Sequence, residues 1–208
     1  DLIRGLAERV AGIAALPVQR ERRDLWRRLN RLERVRPLIH IQALDRNIWE
    51  ELIPPSTLQA QDPFLREQEL DLRRRLYVHD EFADDRVEDG TVVCPMAISG
   101  DSWSAGFGIP RQVQRPEEAS GAYAFVPVIV EERDLERIRC DPEVRVDWAE
   151  TERRRQRLEE LYQGVLPVAV RGRDFFWFYP MDQFIVWRGI EQTFIDLVTD
   201  DAAGLLLA

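Results

Sequence analysis

Lysine is absent: every one of the 29 basic residues is arginine. Without an ε-ammonium these residues can form neither a Schiff base nor the lysine contact of a phosphate-binding P-loop. Cysteine is nearly as scarce. Cys94 and Cys140 lie far apart with no CxxC or Cys/His spacing, which argues against a disulfide framework or a zinc knuckle and for buried free thiols. No apolar run reaches the roughly 18 to 20 residues of a membrane span. The opening "DLIRGLAERV" has neither the basic region nor the apolar run of a signal peptide, so a cytoplasmic protein that binds no membrane is expected. The net charge of −9 argues against a nucleic-acid partner.

What is present is ordinary globular composition. At 208 residues, 45% hydrophobic and 32% charged, the chain can bury a full core, and disorder is not expected. Two amphipathic helices open it. Ile3, Leu6, Ala7, Val10 and Ala14 share the face of one; Val18, Leu25, Leu29 and Leu32 share that of the second, which starts near Pro17. Arginines 22, 23, 27 and 28 read as a solvated face.

"RPLIHIQAL" reads as a short buried strand with Pro37 at its first residue. Asp62-Pro63 reads as an N-cap followed by a first-turn proline, opening a helix over "FLREQELDLRRRLYVH" with Leu65, Leu72 and Leu76 inward. An acidic loop, "DEFADDRVEDG", leads to a second strand in "TVVCPMAI", interrupted by Pro95. "SGDSWSAGFGIP" is a glycine-rich aromatic loop that fits no nucleotide-binding motif. "GAYAFVPVIV" suits an accessory hairpin, and "ERDLERI" a short helix. Asp147 with Glu150 forms a capping-box-like start to a helix through about Tyr162, and "VLPVAVRG" supplies a third strand. A last helix occupies the stretch opened by "FYPMDQF". Strands near residues 37, 91 and 165 separated by helices predict an α/β protein with a parallel sheet.

"VRPLIHIQAL", "WEELIP", "DPFLREQELDLRRRLY", "PVAVRG" and "MDQFIVWRGIEQTFIDLV", in this order, resemble the N-terminal half of the uroporphyrinogen decarboxylase superfamily. The resemblance is to a divergent branch near the corrinoid-dependent methyltransferases and spans nearly the whole chain. It implies the N-terminal part of a TIM-type (β/α)₈ barrel, with residues 1–34 as leading helices, 35–208 as the first three βα units, and an inserted β-hairpin. Such barrels typically need about 250 residues. The chain is therefore expected to be the first part of a longer protein, in keeping with the missing initiator Met and the apolar end "GLLLA".

Two chemistries occur in the superfamily. The decarboxylases work without a cofactor and share an arginine-rich segment after the first strand, an aspartate after the second and a tyrosine after the third. Here Ile41 stands at the leading arginine position and Arg46 alone matches. Ser99 and Asp101 follow the second strand in another context, and Phe184 or Ile185 occupies the tyrosine region. Arginines pair with polycarboxylates and an anion stabilises a protonated pyrrole, so their loss favours corrinoid-linked methyl transfer over decarboxylation. The methyltransferases hold zinc on ligands from the later half of the barrel. The resemblance thus implies no metal in this segment, with zinc and a corrinoid belonging to the full-length protein. Its partners would be a small-molecule, tetrapyrrole or corrinoid ligand, a corrinoid protein, and a second copy in a homodimer. A non-catalytic binding protein or truncated product is the reading from another class.

Sites in such barrels lie where strands end. His40 and Gln42, at the end of the first strand, are candidates as catalytic and substrate-binding residues, with core packing as the alternative for His40. Arg46 follows them. Trp103 and Phe107 would roof a flat tetrapyrrole or small substrate, or else pack their own loop. Arg171, Arg173, Trp177 and Tyr179 after the third strand would bind an anionic group and line a pocket. Asp182 is read both as a helix cap and as a catalytic candidate, with Gln183 beside it facing a ligand. Gly189, inside the last helical run, predicts close packing or a kink.

Overall fold

The computed structural model describes residues 1–42, 46–100, 107–115, 123–139, 144–173 and 180–199. Its helices are α1 (Leu2–Ala14), α2 (Pro17–Asn30), α3 (Arg46–Leu52), α4 (Pro63–Glu81), α5 (Trp148–Tyr162), α6 (Pro180–Arg188) and α7 (Ile190–Val198). The strands are β1 (Val92–Pro95), β2 (Ala97–Ser99), β3 (Gln112–Gln114), β4 (Ala124–Val126), β5 (Arg145–Asp147) and β6 (Val168–Arg171). The fold is mixed α/β with small sheets: among the described residues there are three two-stranded pairs, β1 with β6, β2 with β5 and β3 with β4. Among the described residues no helix is long and apolar enough to cross a membrane.

The β1–β6 pair runs parallel. Val92 N donates to Pro167 O and Met96 N to Arg171 O, each at 2.9 Å, so both strands advance together. A parallel pair needs a crossover, and the returning connection carries α5. Between β1 and α5 lies an insertion whose two ends pair as β2 and β5, antiparallel, with Ile98 opposite Val146. Farther out, β3 and β4 form the expected hairpin, antiparallel, with Val113 opposite Phe125.

The chain divides into two compact units: Asp1–Cys94 with Glu152–Val170, and Pro95–Thr151 with Arg171–Ala208. The core of the first unit joins Ile3, Leu6, Ala7 and Val10 of α1 to Leu72 and Leu76 of α4, Val92 and Cys94 of β1, and Leu158 and Tyr162 of α5. Burial pushes both the Cys94 thiol and the Tyr162 hydroxyl up from their ordinary pKa values. The core of the second unit centres on Ile109, Val128, Ile129 and Trp187.

Local signals account for several boundaries. Asp62 accepts from Leu65 N at 3.0 Å and Pro63 opens α4; Asp147 accepts from Glu150 N at 2.8 Å at the head of α5, both by the capping logic that satisfies first-turn amides. The "ERDLERI" segment is a 3₁₀ helix over Glu132–Arg137 with a reciprocal cap between Glu131 and Asp134. Gly189, at φ 84°, separates α6 from α7, and a Cβ there would lie 2.9 Å from Pro127 Cγ. The predicted kink and close packing thus coincide in one residue.

Two expectations need correction. Residues 36–42 form no strand and are largely exposed. Instead of a ladder, Asp85 N donates to Ile39 O, while Ile39 N and Ile41 N donate to the carboxylates of Asp85 and Asp84. Side chains of the acidic loop thus take the place of a neighbouring strand, which leaves Ile39 and Ile41 outward. The apolar stripe proposed for α2 does not face inward either: Leu32 is 93% exposed, at φ 61° beyond the helix end. Its docking face is polar. Gln19 Oε1 accepts from Glu88 N at 3.0 Å, Arg22 Nη1 donates to Arg86 O at 3.2 Å, and Trp26 Nε1 donates to Asp85 O at 2.7 Å.

Candidate functional site

Helical geometry places Asp71, Arg74, Arg75 and Val78 of α4 on one stripe, at spacings of three and four residues. In the first unit this stripe forms one wall of a cavity of about 380 Å³; His40 and Gln42 of the 36–42 segment, Trp49 of α3 and Arg86 complete the lining. That size lies within the ordinary range for small-ligand sites.

The three arginines differ in what already neutralises them. Arg75 Nε donates to Glu88 Oε2 at 2.9 Å, and its Nη1 lies 3.9 Å from Asp71. Arg86 donates to Ile41 O, and its Nε stands 3.8 Å from the buried carboxylate of Asp84. Arg74 has no carboxylate within ion-pair distance among the described residues. Its guanidinium lies 5.2 Å from the centre of the Trp49 ring, a cation–π arrangement. Its buried Nε donates to nothing. Leaving such a donor unpaired costs on the order of 1–3 kcal/mol; Arg86 Nε is unpaired in the same way, but Arg86 has Asp84 in ion-pair range, so Arg74 is the group in this wall whose charge is most open to an anion.

Burial pushes the Asp71 carboxyl up from its usual range, more than Arg75 lowers it, and Glu88 adds to the rise. Its side chain is nonetheless 57% open. Trp49 is the aromatic residue of the lining; behind it Tyr77 and Phe82 are in mutual ring contact with it, which fixes the Trp49 ring under Arg74.

The sequence-selected residues fall in different places. His40 and Gln42 meet in this cavity, on an extended segment rather than at a strand end; His40 is exposed, which corrects its reading as a core histidine. Arg46 begins α3, its side chain outside the described residues, as are Trp103, Trp177 and Tyr179. Phe107 meets Trp187 of α6 edge to face, ring centres 6.2 Å apart, and is partly buried against the second unit's core. Arg171 ends β6 and, with Arg173, is exposed. Asp182 sits in the first turn of α6, exposed and without a hydrogen bond among the described residues, so it acts on the helix through the dipole rather than as a hydrogen-bonded cap. Gln183 beside it is 4% exposed, and both its side-chain amide atoms lack partners among the described residues. His40 and Asp182 belong to different units.

Sequence reasoning missed the charged wall. Arg74, Arg75 and Asp71 carried a signal in their helical spacing, but an arginine-rich helix face is usually solvated. The described residues contain no group of three or more His, Cys, Asp or Glu that could hold a metal ion, and Cys94 lies in an apolar core. No family model, curated protein or solved structure matches the chain.

Proposed function

We infer that the chain is the N-terminal part of a uroporphyrinogen-decarboxylase-like (β/α)₈ barrel enzyme, with corrinoid-linked methyl transfer favoured over tetrapyrrole decarboxylation. The observation that carries this inference is the parallel β1–β6 pair with α5 in its crossover, the repeating unit of such a barrel. The antiparallel β2–β5 stem and the hairpin then read as an insertion at the end of a barrel strand, where the βα loops of these folds vary. Asp182 lies exposed in the first turn of α6, and the buried Gln183 amide beside it has no hydrogen-bond partner among the described residues; a helix start of this kind is the position from which a barrel loop addresses its ligand. A cytoplasmic setting and a corrinoid protein as partner, with a homodimer as the assembly, belong to the same proposal. Zinc would come from residues other than those described, and no step is assigned to it.

A spectrophotometric titration of the full-length protein with hydroxocobalamin, run beside uroporphyrin, tests the preference. Saturable binding of the corrinoid with weaker binding of the porphyrin is expected; binding of neither contradicts the proposal. Asp182→Asn should shift stability by no more than about 1 kcal/mol, since only an exposed dipole interaction changes, yet weaken corrinoid binding several-fold. Unchanged affinity in that variant would reduce Asp182 to helix architecture.

A further inference from the structure

We propose that the cavity between α4 and the 36–42 segment binds a small organic monocarboxylate, held by the Arg74 guanidinium with its planar or apolar body against Trp49 and Val78. It stands within the first unit and does not depend on the methyl-transfer proposal.

Charge decides the class of ligand. Arg75 is engaged by Glu88 and Asp71, and Arg86 by Asp84 and the Ile41 carbonyl. Among the described residues Arg74 is the cation of this wall left without a carboxylate in ion-pair range, and its buried Nε, like that of Arg86, lacks an acceptor. A carboxylate supplies one negative charge and two planar acceptor oxygens, the geometry a guanidinium edge recognises. A phosphate monoester, near −2 at neutral pH, would bring a second charge toward the Asp71 carboxyl three residues away on the same helix face, with no further free cation to meet it.

Shape points the same way. Trp49 is held by its edge and stacked contacts with Tyr77 and Phe82, so it presents a fixed ring. Arg74 already lies over that ring, which keeps the guanidinium in place before a ligand arrives and reduces the ordering cost of binding. The cavity volume of about 380 Å³ accommodates a fused aromatic acid. His40 and Gln42 lie along the same cavity and can hydrogen-bond polar substituents.

The test compares 2-naphthoate, its neutral amide 2-naphthamide and inorganic phosphate by NMR titration of the intact protein. Naphthoate should bind saturably with shifts at Trp49 and His40, and naphthamide at least about tenfold more weakly, the loss of one charge-assisted contact. Phosphate should compete poorly. Arg74→Gln should bring naphthoate affinity down to that of the amide, and Asp71→Asn should improve phosphate binding while retaining naphthoate. Equal affinity for acid and amide, or phosphate binding more tightly than naphthoate, would overturn the proposal on the wild-type protein alone. Undiminished naphthoate binding by a folded Arg74→Gln protein would overturn the role of Arg74.

Discussion

Asp85→Ala should lower the stability of the protein by about 3 kcal/mol, the cost of removing a nearly buried carboxylate from charge-assisted hydrogen bonds. Asp85 receives Arg36 Nη1 at 2.8 Å and Nη2 at 2.5 Å, and Ile39 N at 2.9 Å. Its side chain is 11% exposed. Alanine would free the 36–42 segment from the acidic loop and remove the Ile39 amide's acceptor. In a protein of this size the loss corresponds to roughly 6–12 °C in Tm, readable by calorimetry, and amide exchange at Ile39 and Ile41 should accelerate with it.

The same carboxylate sets a pH signature. The Arg36 guanidinium, then the Ile39 amide, hold its pKa well below the usual carboxylate range. Because the folded value is depressed, the stabilisation is complete above the unfolded pKa of about 4 and is lost as pH falls through the folded value. The stability gap between wild type and Asp85→Asn should therefore be widest near neutral pH and close under acid. A gap that stays constant down to pH 2 would show that Asp85 acts through packing alone.

Gly189→Ala should cost about 2–3 kcal/mol, combining the penalty of a left-handed residue with a steric conflict. The φ of 84° is one that L side chains seldom adopt, and the added Cβ would meet Pro127 Cγ at 2.9 Å. The consequence reaches beyond one contact. Trp187 O accepts from Val128 N at 2.7 Å and Ile129 N at 2.9 Å, and Arg188 bonds Asp196 at 2.7 Å and Ile129 O at 3.3 Å. Moving the α6–α7 junction away from Pro127 disturbs this set. The expected result is a lowered melting transition with loss of Trp187 burial by fluorescence; a wild-type melt would contradict the constraint assigned to Gly189.

The elements legible in the sequence were those specified locally. Asp62-Pro63 and Asp147 with Glu150 contain their own caps, so α4 and α5 follow from a few neighbouring residues. The β1 and β6 runs are β-branched and bounded by glycine, which also made them readable. Residues 36–42 have the same apolar alternation, yet pair with carboxylates brought from more than forty positions away, a tertiary choice that periodicity does not encode. In α2 the leucines advertised a core face, whereas Gln19, Arg22 and Trp26 dock through hydrogen bonds to residues 85–88. The site was legible in the same uneven way. His40 and Gln42 were selected for a strand end that does not form, and they reach a cavity whose charged wall comes from α4.

The most direct measurement of the central proposal is methyl transfer from methylcobalamin to a thiol under anaerobic conditions, using the complete gene product that carries this chain. The thiolate would take the methyl group while the cobalt retains the electron pair of the broken carbon–cobalt bond, so cob(I)alamin and thioether should appear in equal amounts and at the same rate. Enzyme-dependent formation of both is the predicted result. Release of carbon dioxide from uroporphyrinogen with no cob(I)alamin formed would contradict methyl transfer and assign the barrel to decarboxylation.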